Sequence, residues 1–251
     1  VNPVPEKDID EFKIGFTLYV NSGQRVYVRR ININGNSDTK DEVIRRELRQ
    51  MEGSWYSVKD INRSKQRLDL LGFFSEVIIN TIPVPGTADQ VDLEVKVVER
   101  MTGSFSIGVG FSSEDRLLLQ LSMAQSNFLG TGNSVNLVAS TGKVNETYEL
   151  GFTDPYATDD GVSRTYKLGK RDTDVSSLVV STFSSSTESA SINFGVPLTE
   201  YDRIFYGVGF EQTGITLGLN PTREYQEFVD LNGNNNTVIP LTVGWARDKR
   251  D

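Results

Sequence analysis

"GSFSIGVGFS", Gly103–Ser112, reads as two alternating sets of residues. Phe105, Ile107, Val109 and Phe111 recur at period 2, and Ser104, Ser106, Gly108, Gly110 and Ser112 fill the positions between them. In an extended chain the first set shares one face and the second set the other. The apolar face suits burial, whereas the opposite face is too small and polar to pack against a second sheet. The same grammar recurs downstream. Leu117, Leu119, Leu121 and Met123 oppose Gln120, Ser122 and Ala124; Val135, Leu137 and Ala139 oppose Ser134, Asn136 and Ser140. It returns at Tyr148–Phe152, more weakly around Tyr166 and Leu168, then at Ala190–Val196, Ile204–Phe210 and Ile239–Trp245. Counting the opening stretch, these make eight strands, and no helix is predicted after Met101.

A soluble sandwich buries its apolar face and turns Lys, Glu and Arg to water. Here the second face is instead thick with Gly108, Gly110, Gly151, Gly195, Gly207, Gly209 and Gly244. Glycine weakens a strand interior, so it needs a reason there. A membrane barrel supplies one, with bulky side chains toward lipid and small or polar ones toward a wet lumen. The links agree. Two are long, near 170–188 and near 213–237; as the fifth and seventh links of an up-and-down meander they fall at the same end. Outer-membrane barrels place long loops outside and short turns in the periplasm, so the first strand starts on the periplasmic side.

Composition narrows the chemistry. The 251 residues are 37% hydrophobic and 24% charged, too apolar for disorder. There is no histidine and no cysteine, which removes Ser-His and Cys-His catalysis and thiolate or imidazole metal sites. Asp154, Asp159 and Asp160 do not have the spacing of a calcium-binding EF-hand and read as turn residues. No cofactor and no enzymatic activity are expected. The net charge is −8; residues 1–100 carry 15 basic and 16 acidic side chains and the remainder 11 and 18, so neither part has the basic excess of a nucleic-acid binder. No stretch reaches the roughly 18 apolar residues of a membrane-spanning helix, which leaves a closed barrel as the way to cross a membrane. Both ends look cut, as in a fragment of a mature protein.

Residues 1–100 are written differently. "EFKIGFTLYV", Glu11–Val20, alternates as a strand, "NSGQR" turns, and "VYVRRININ", Val26–Asn34, forms a second. Thr39 and Glu42 have capping-box spacing and predict a helix whose Val43, Ile44, Leu48 and Met51 share one side. A second helix is predicted from about Ser57, with Val58, Ile61, Leu68 and Leu71 inward and Gly72 as its stop. "FFSEVIINTI" and "VDLEVKVVER" close the unit as a hairpin, giving β-α-α-β-β preceded by one extra strand.

A small β-α-α-β-β module feeding a glycine-rich meander resembles the BamA family, in which POTRA domains precede an outer-membrane barrel. The likeness runs through "RRININGN", "VIRRELRQMEGSWYS", "RLDLLGFFSEV", "VPGTADQVDLEVKVVER", "TGSFSIGVGF", "NFLGTGN", "DPYATDDGVS" and "PLTEYDR". It implies an α+β POTRA module followed by the first eight or so strands of an antiparallel transmembrane β-barrel. Residues 1–23 would end the preceding POTRA, 24–100 form the last one, and 101–251 the first half of a sixteen-stranded barrel. The family's later strands and its "VRGF"-type motif are not in this sequence. Lys167 is expected to face the lumen and Lys170 to lie beyond the membrane.

The function implied by the resemblance is that of the central subunit of the outer-membrane assembly machinery, with POTRA domains in the periplasm. Nascent outer-membrane proteins would add their strands to the edge formed by Gly103, Ser104, Phe105, Ser106, Ile107, Gly108, Val109, Gly110 and Phe111. A Gly/Ser-rich strand offers few cross-strand side-chain contacts, so it makes a weak seam whose opening exposes a template edge. Glu52 and Arg100 would contact an accessory lipoprotein resembling BamD, with Glu99 and Arg100 setting how the POTRA meets the barrel. The edge strand around Val26, Val28 and Arg30 would capture client peptides. Outer-membrane lipid is the remaining partner. Translocation-and-assembly and two-partner secretion transporters share this architecture, and a soluble ligand-binding β-barrel is the alternative from another class.

Overall fold

The computed structural model describes residues 2–8, 13–19, 25–113, 116–175, 183–218 and 220–248, and the expected turn at 21–24 and the boundary at 23/24 lie outside them. Strands β1 (Asn2–Asp8) and β2 (Lys13–Tyr19) pair antiparallel, so two strands, not one, precede the α+β unit. Pro3 and Pro5 hide β1 from pattern reading. Spaced by two, their missing N–H groups point the same way, which β1 tolerates because among the described residues it pairs with β2 alone.

The α+β unit comprises β3 (Tyr27–Asn34), α1 (Asp41–Arg45), α2 (Val58–Leu71), β4 (Phe74–Pro83) and β5 (Gln90–Glu99). β5 is central, parallel to β3 and antiparallel to β4. Its alternation places Leu93, Val95 and Val97 in a core with Val28, Ile31, Val43, Ile44 and Leu68. α2 follows its sequence signals: the Ser57 hydroxyl accepts from the Asp60 amide, and Gly72 at φ 72° ends the helix in the left-handed region. α1 does not. It is five residues long, its N-cap is Lys40, and no side chain caps it. Thr39 has other partners, described below. Met51, 58% exposed, and Val58, 59% exposed, stand outside the core where they were expected inside.

From Gly103 one antiparallel sheet runs in chain order: β6 (Gly103–Ser112), β7 (Arg116–Phe128), β8 (Asn133–Thr141), β9 (Asn145–Asp154), β10 (Ser163–Asp174), β11 (Phe183–Pro197) and β12 (Asp202–Leu217). Helix α3 (Arg223–Asn232) interrupts the seventh link, against the expectation of an all-strand second part. Its turn-spaced Tyr225, Phe228 and Val229 and the following Gly233 are ordinary helix signals set inside a long link between strands. The eighth strand is broken. β13 (Asn235–Val238) pairs with the outer part of β12 and β14 (Leu241–Arg247) with the inner part, while Pro240, unable to donate, accepts from the Gly209 amide. The fifth link is shorter than expected because β10 reaches Asp174 and β11 starts at Phe183; residues 176–182 are outside the description.

Cross-strand pairing keeps the two faces distinct. Phe105 lies opposite Met123, then Leu137, Leu150, Leu168, Ala190 and Phe210 follow in one row. At β6 this row is the apolar one nearest the α+β unit, with Ile107, Val109 and Phe111 farther away; at β12 it is the farthest, with Val208, Tyr206 and Ile204 nearer. The apolar band thus slides by six residues over six strand-to-strand steps. One residue per step, at ~3.3 Å rise and ~4.8 Å strand spacing, is the drift of a level band crossed by strands tilted roughly 35°. A flat bilayer across a barrel wall requires such a slant. Lys167 lies on the small-residue face. Lys170 lies on the apolar face, in a polar row with Glu188 at the band's outer margin.

Candidate functional site

The first barrel strand is an edge. β6 pairs only with β7 among the described residues, and Phe105, Ile107, Val109 and Phe111 are all exposed. Two of its three glycines, Gly108 and Gly110, differ from several deeper in the sheet; the third, Gly103, would set a Cβ against the Gln125 side chain. An added Cβ at Gly151 or Gly207 would meet an asparagine side chain at 2.1 or 2.0 Å, and one at Gly209 would meet Pro240 at 2.9 Å. At Gly108 and Gly110 the nearest atoms of β7 would be 3.6 and 3.7 Å away, ordinary contact. Packing against β7 therefore gives no reason for glycine at these two positions. The Ser106 and Ser122 hydroxyls share a cross-strand hydrogen bond of 2.8 Å along this pair.

Below the strand, the α+β unit is mounted on the sheet. Glu99, at the end of β5, accepts from the amides of Ser37, Asp38 and Thr39 and from the Ser37 hydroxyl. Partial burial alone would raise this carboxyl, but the bonds from Thr39, Asp38 and Ser37 outweigh it and hold it at about 2. The loop so fixed is the docking surface. Thr39 Oγ1 accepts from Asn127 Nδ2 at 2.8 Å, and the Lys40 amide donates to the Gly130 carbonyl at 2.9 Å. Asn127 Oδ1 in turn accepts from the Gly132 amide. Gly130 is required twice over: its φ is 71°, and a Cβ would stand 1.9 Å from the Asp38 carbonyl oxygen.

Two more links of the sheet touch the same unit. From 155–162, the Tyr156 ring lies under the Arg46 guanidinium at 4.4 Å and its hydroxyl accepts from Arg67 at 3.1 Å. Burial and the nearby Glu47 push that hydroxyl's pKa up. From 198–201, Glu200 Oε1 faces Arg63 Nε at 3.0 Å, Arg49 Nε at 3.4 Å and Arg67 at 3.5 Å. Burial would raise the Glu200 carboxyl, but Arg63, Arg49 and Arg67 hold it below its ordinary value. The "NFLGTGN", "DPYATDDG" and "PLTEYDR" stretches, read from sequence as turns, are therefore the three feet on which the α+β unit stands.

The remaining sequence-predicted residues are placed as follows. Glu52, half-exposed, accepts from the Ile31 amide at 2.7 Å and lies 3.6 Å from Arg45. Arg100 turns its Nε onto the Gly72 carbonyl at 2.6 Å, capping the end of α2, and its amide bonds the Phe73 carbonyl. The expected open edge at Val26, Val28 and Arg30 needs correction. β3 does lie at the sheet's margin, but its outer side is already engaged. The Val28 amide donates to Ser54, the Val28 carbonyl accepts from Gly53, and the Val26 carbonyl accepts from Tyr56. Beyond a bulge at Val28/Arg30, Glu52 and Arg45 take the Ile31 amide and carbonyl. A peptide adding along this edge would have to displace the chain's own residues 52–56.

Residues 26–100 match the POTRA family, surface antigen variable number repeat, and residues 127–251 match the Omp85 superfamily domain. The outer membrane protein assembly factor BamA of Neisseria meningitidis serogroup B is 37% identical over all of the chain, which spans 32% of that relative's length. The assembly factor BamA of Nitratidesulfovibrio vulgaris is 30% identical over 82% of the chain and 25% of its own length. Among solved structures, BamA from Haemophilus ducreyi lacking POTRA domains 1–3 superposes with a TM-score of 0.75 at 30% identity, covering 99% of this chain and 49% of that one. CdiB from Acinetobacter baumannii shares the fold, with a TM-score of 0.56 at 12% identity over 97% of this chain and 45% of its own. The chain thus spans about a third of the first of these curated relatives.

Proposed function

Because the chain belongs to the BamA family of the Omp85 superfamily, we propose that it works in the outer membrane as the assembly subunit that folds and inserts nascent β-barrel proteins, its POTRA domain in the periplasm. The domain division at 24–100 and 101–251 belongs to this reading. So does templating at β6, where client strands pair with the backbone of Gly103–Phe111. The observation that carries it is the pair Gly108 and Gly110: room for a Cβ against β7 leaves a weak seam as the use for glycine there. Strands with few side-chain ties part most easily, and a parted strand in lipid holds N–H and C=O groups that only another strand satisfies.

Glu52 is retained as the lipoprotein contact. Its half-exposed carboxylate is fixed by Ile31 and Arg45 and so presented in one orientation. Arg100, exposed and with only its Nε on Gly72, is kept as a second such contact and also serves the hinge. The test is a disulfide between β6 and the last strand of the full-length protein, assayed by client insertion into liposomes. Insertion is expected when the crosslink is reduced and not when it is oxidised. Equal insertion in both states would sink the templating mechanism.

A further inference from the structure

Between the POTRA helices and the sheet lies a cleft of about 650 Å³ whose POTRA wall carries Arg46, Arg49, Arg63 and Arg67. Its charges are unevenly supplied. Glu47, buried, is taken by Arg67, and a single oxygen of Glu200 serves Arg49, Arg63 and Arg67 together. Beyond Glu200, Arg49 reaches the Arg46 and Leu48 carbonyls, Arg63 bonds Gln66 and lies over the Tyr201 ring, and Arg67 bonds Glu47 and Tyr156; each guanidinium offers five N–H donors, so some are still left over. Arg46 has the Tyr156 ring and the Thr131 carbonyl as partners. The Nε groups of Arg46 and Arg67 are buried with no acceptor among the described residues. A buried donor without an acceptor is costly to the fold.

The walls indicate which anion. Phe205 and Ala246, which line the cleft, belong to the small-residue face of the sheet, so the cleft faces the lumen side and not the lipid side. Tyr156, Tyr201 and Leu198 add apolar surface beside the guanidiniums. A carboxylate flanked by aromatic or aliphatic side chains fits such walls better than a hydrated phosphate. Of the other acids lining the cleft, Asp202 is tied to Thr199 and Arg247, Asp248 donates its amide to the Tyr201 carbonyl, and Asp159 and Asp160 are exposed, where water and salt screen them; Arg203 adds a fifth guanidinium.

We propose that this cleft binds acidic side chains of a polypeptide on the lumen side of the sheet, and that Glu200 is the internal carboxylate such a segment displaces. The inference rests on the assembly reading, which brings unfolded polypeptide to this rim. Displacing Glu200 would free the link at 198–201 from the POTRA, so ligand binding and docking draw on the same guanidiniums.

The test uses the full-length protein in phosphatidylcholine nanodiscs and a fluorescein-labelled, end-blocked hexapeptide alternating glutamate and phenylalanine, followed by anisotropy at low salt. Its glutamine twin should bind at least tenfold more weakly. Arg49→Gln with Arg63→Gln should weaken the acidic peptide about tenfold, whereas Glu200→Gln should tighten it several-fold by removing the competitor. A misfolded variant does not gain affinity, so the second variant keeps the outcome readable. Unchanged or weaker binding by Glu200→Gln would overturn the proposal, as would equal binding of the glutamine twin. Competition by glycerol 3-phosphate at peptide-like concentrations would assign the cleft to a lipid headgroup instead. Absence of peptide binding by the unaltered protein, with crosslink-sensitive insertion intact, would overturn the cleft's role and leave the assembly reading standing.

Discussion

At Glu99 two opposed effects meet in one carboxylate, and the donors win. Its folded value of about 2 lies below the ordinary 4.5, so the stabilisation is complete above 4.5 and is lost as pH falls toward 2. In the isolated POTRA unit, residues 21–100, the carboxyl carbon of Glu99 should titrate near 2 by NMR. Urea midpoints of the Glu99→Gln variant should lose the part of the pH dependence that falls between those two values. An unshifted titration would mean that the bonds to Ser37, Asp38 and Thr39 do not form in solution. The same residue explains a misreading. Thr39 has the spacing of a helix cap, but its amide is claimed by Glu99 and its hydroxyl by Asn127, 60 and 88 positions away. Local spacing carries no trace of partners that distant.

Among the elements, those whose determinants are local were legible. α2 has its cap, stripe and glycine within one stretch of sequence, and the barrel strands alternate visibly because each has one apolar face. β1 was masked by its prolines, α3 by the length of its loop, and the ends of the helical stripes by burial that only the folded unit defines. Leu68 is fully buried in the POTRA core, so Leu68→Ala should cost about 2–5 kcal/mol. Met51→Ala and Val58→Ala, placed inward by periodicity but exposed in the structure, should each cost less than about 0.5 kcal/mol. Chemical denaturation of the POTRA unit distinguishes the two cases. The candidate site was legible only in part. The β6 edge follows from alternation, while Asn127, Tyr156 and Glu200 showed themselves only as turn motifs, because the guanidiniums and hydroxyl they meet lie in another domain.

For the whole molecule, the slanted band fixes which residues meet lipid. Cysteines at Phe105, Ile107, Val109, Leu119, Leu121, Ile192 and Val208 should resist water-soluble thiol reagents in intact membranes, whereas those at Gly108, Gly110, Ser122, Asn193 and Gly209 should react. All seven of the first set occupy the apolar face and all five of the second the small-residue face. Equal rates for the two sets would contradict a membrane-spanning wall. The three feet have a mechanical consequence. The POTRA grips the links β7–β8, β9–β10 and β11–β12, so a torque on it is shared by an arc of six strands that turns as one stiff plate. β6 stands outside that arc, joined to the POTRA through the backbone at Met101 and Thr102 and to the plate by its hydrogen bonds to β7. Load applied in the periplasm therefore gathers at the sheet's ungripped margins, β6 on one side and β14 on the other, and of the two β6 is the strand that continues directly from the POTRA chain.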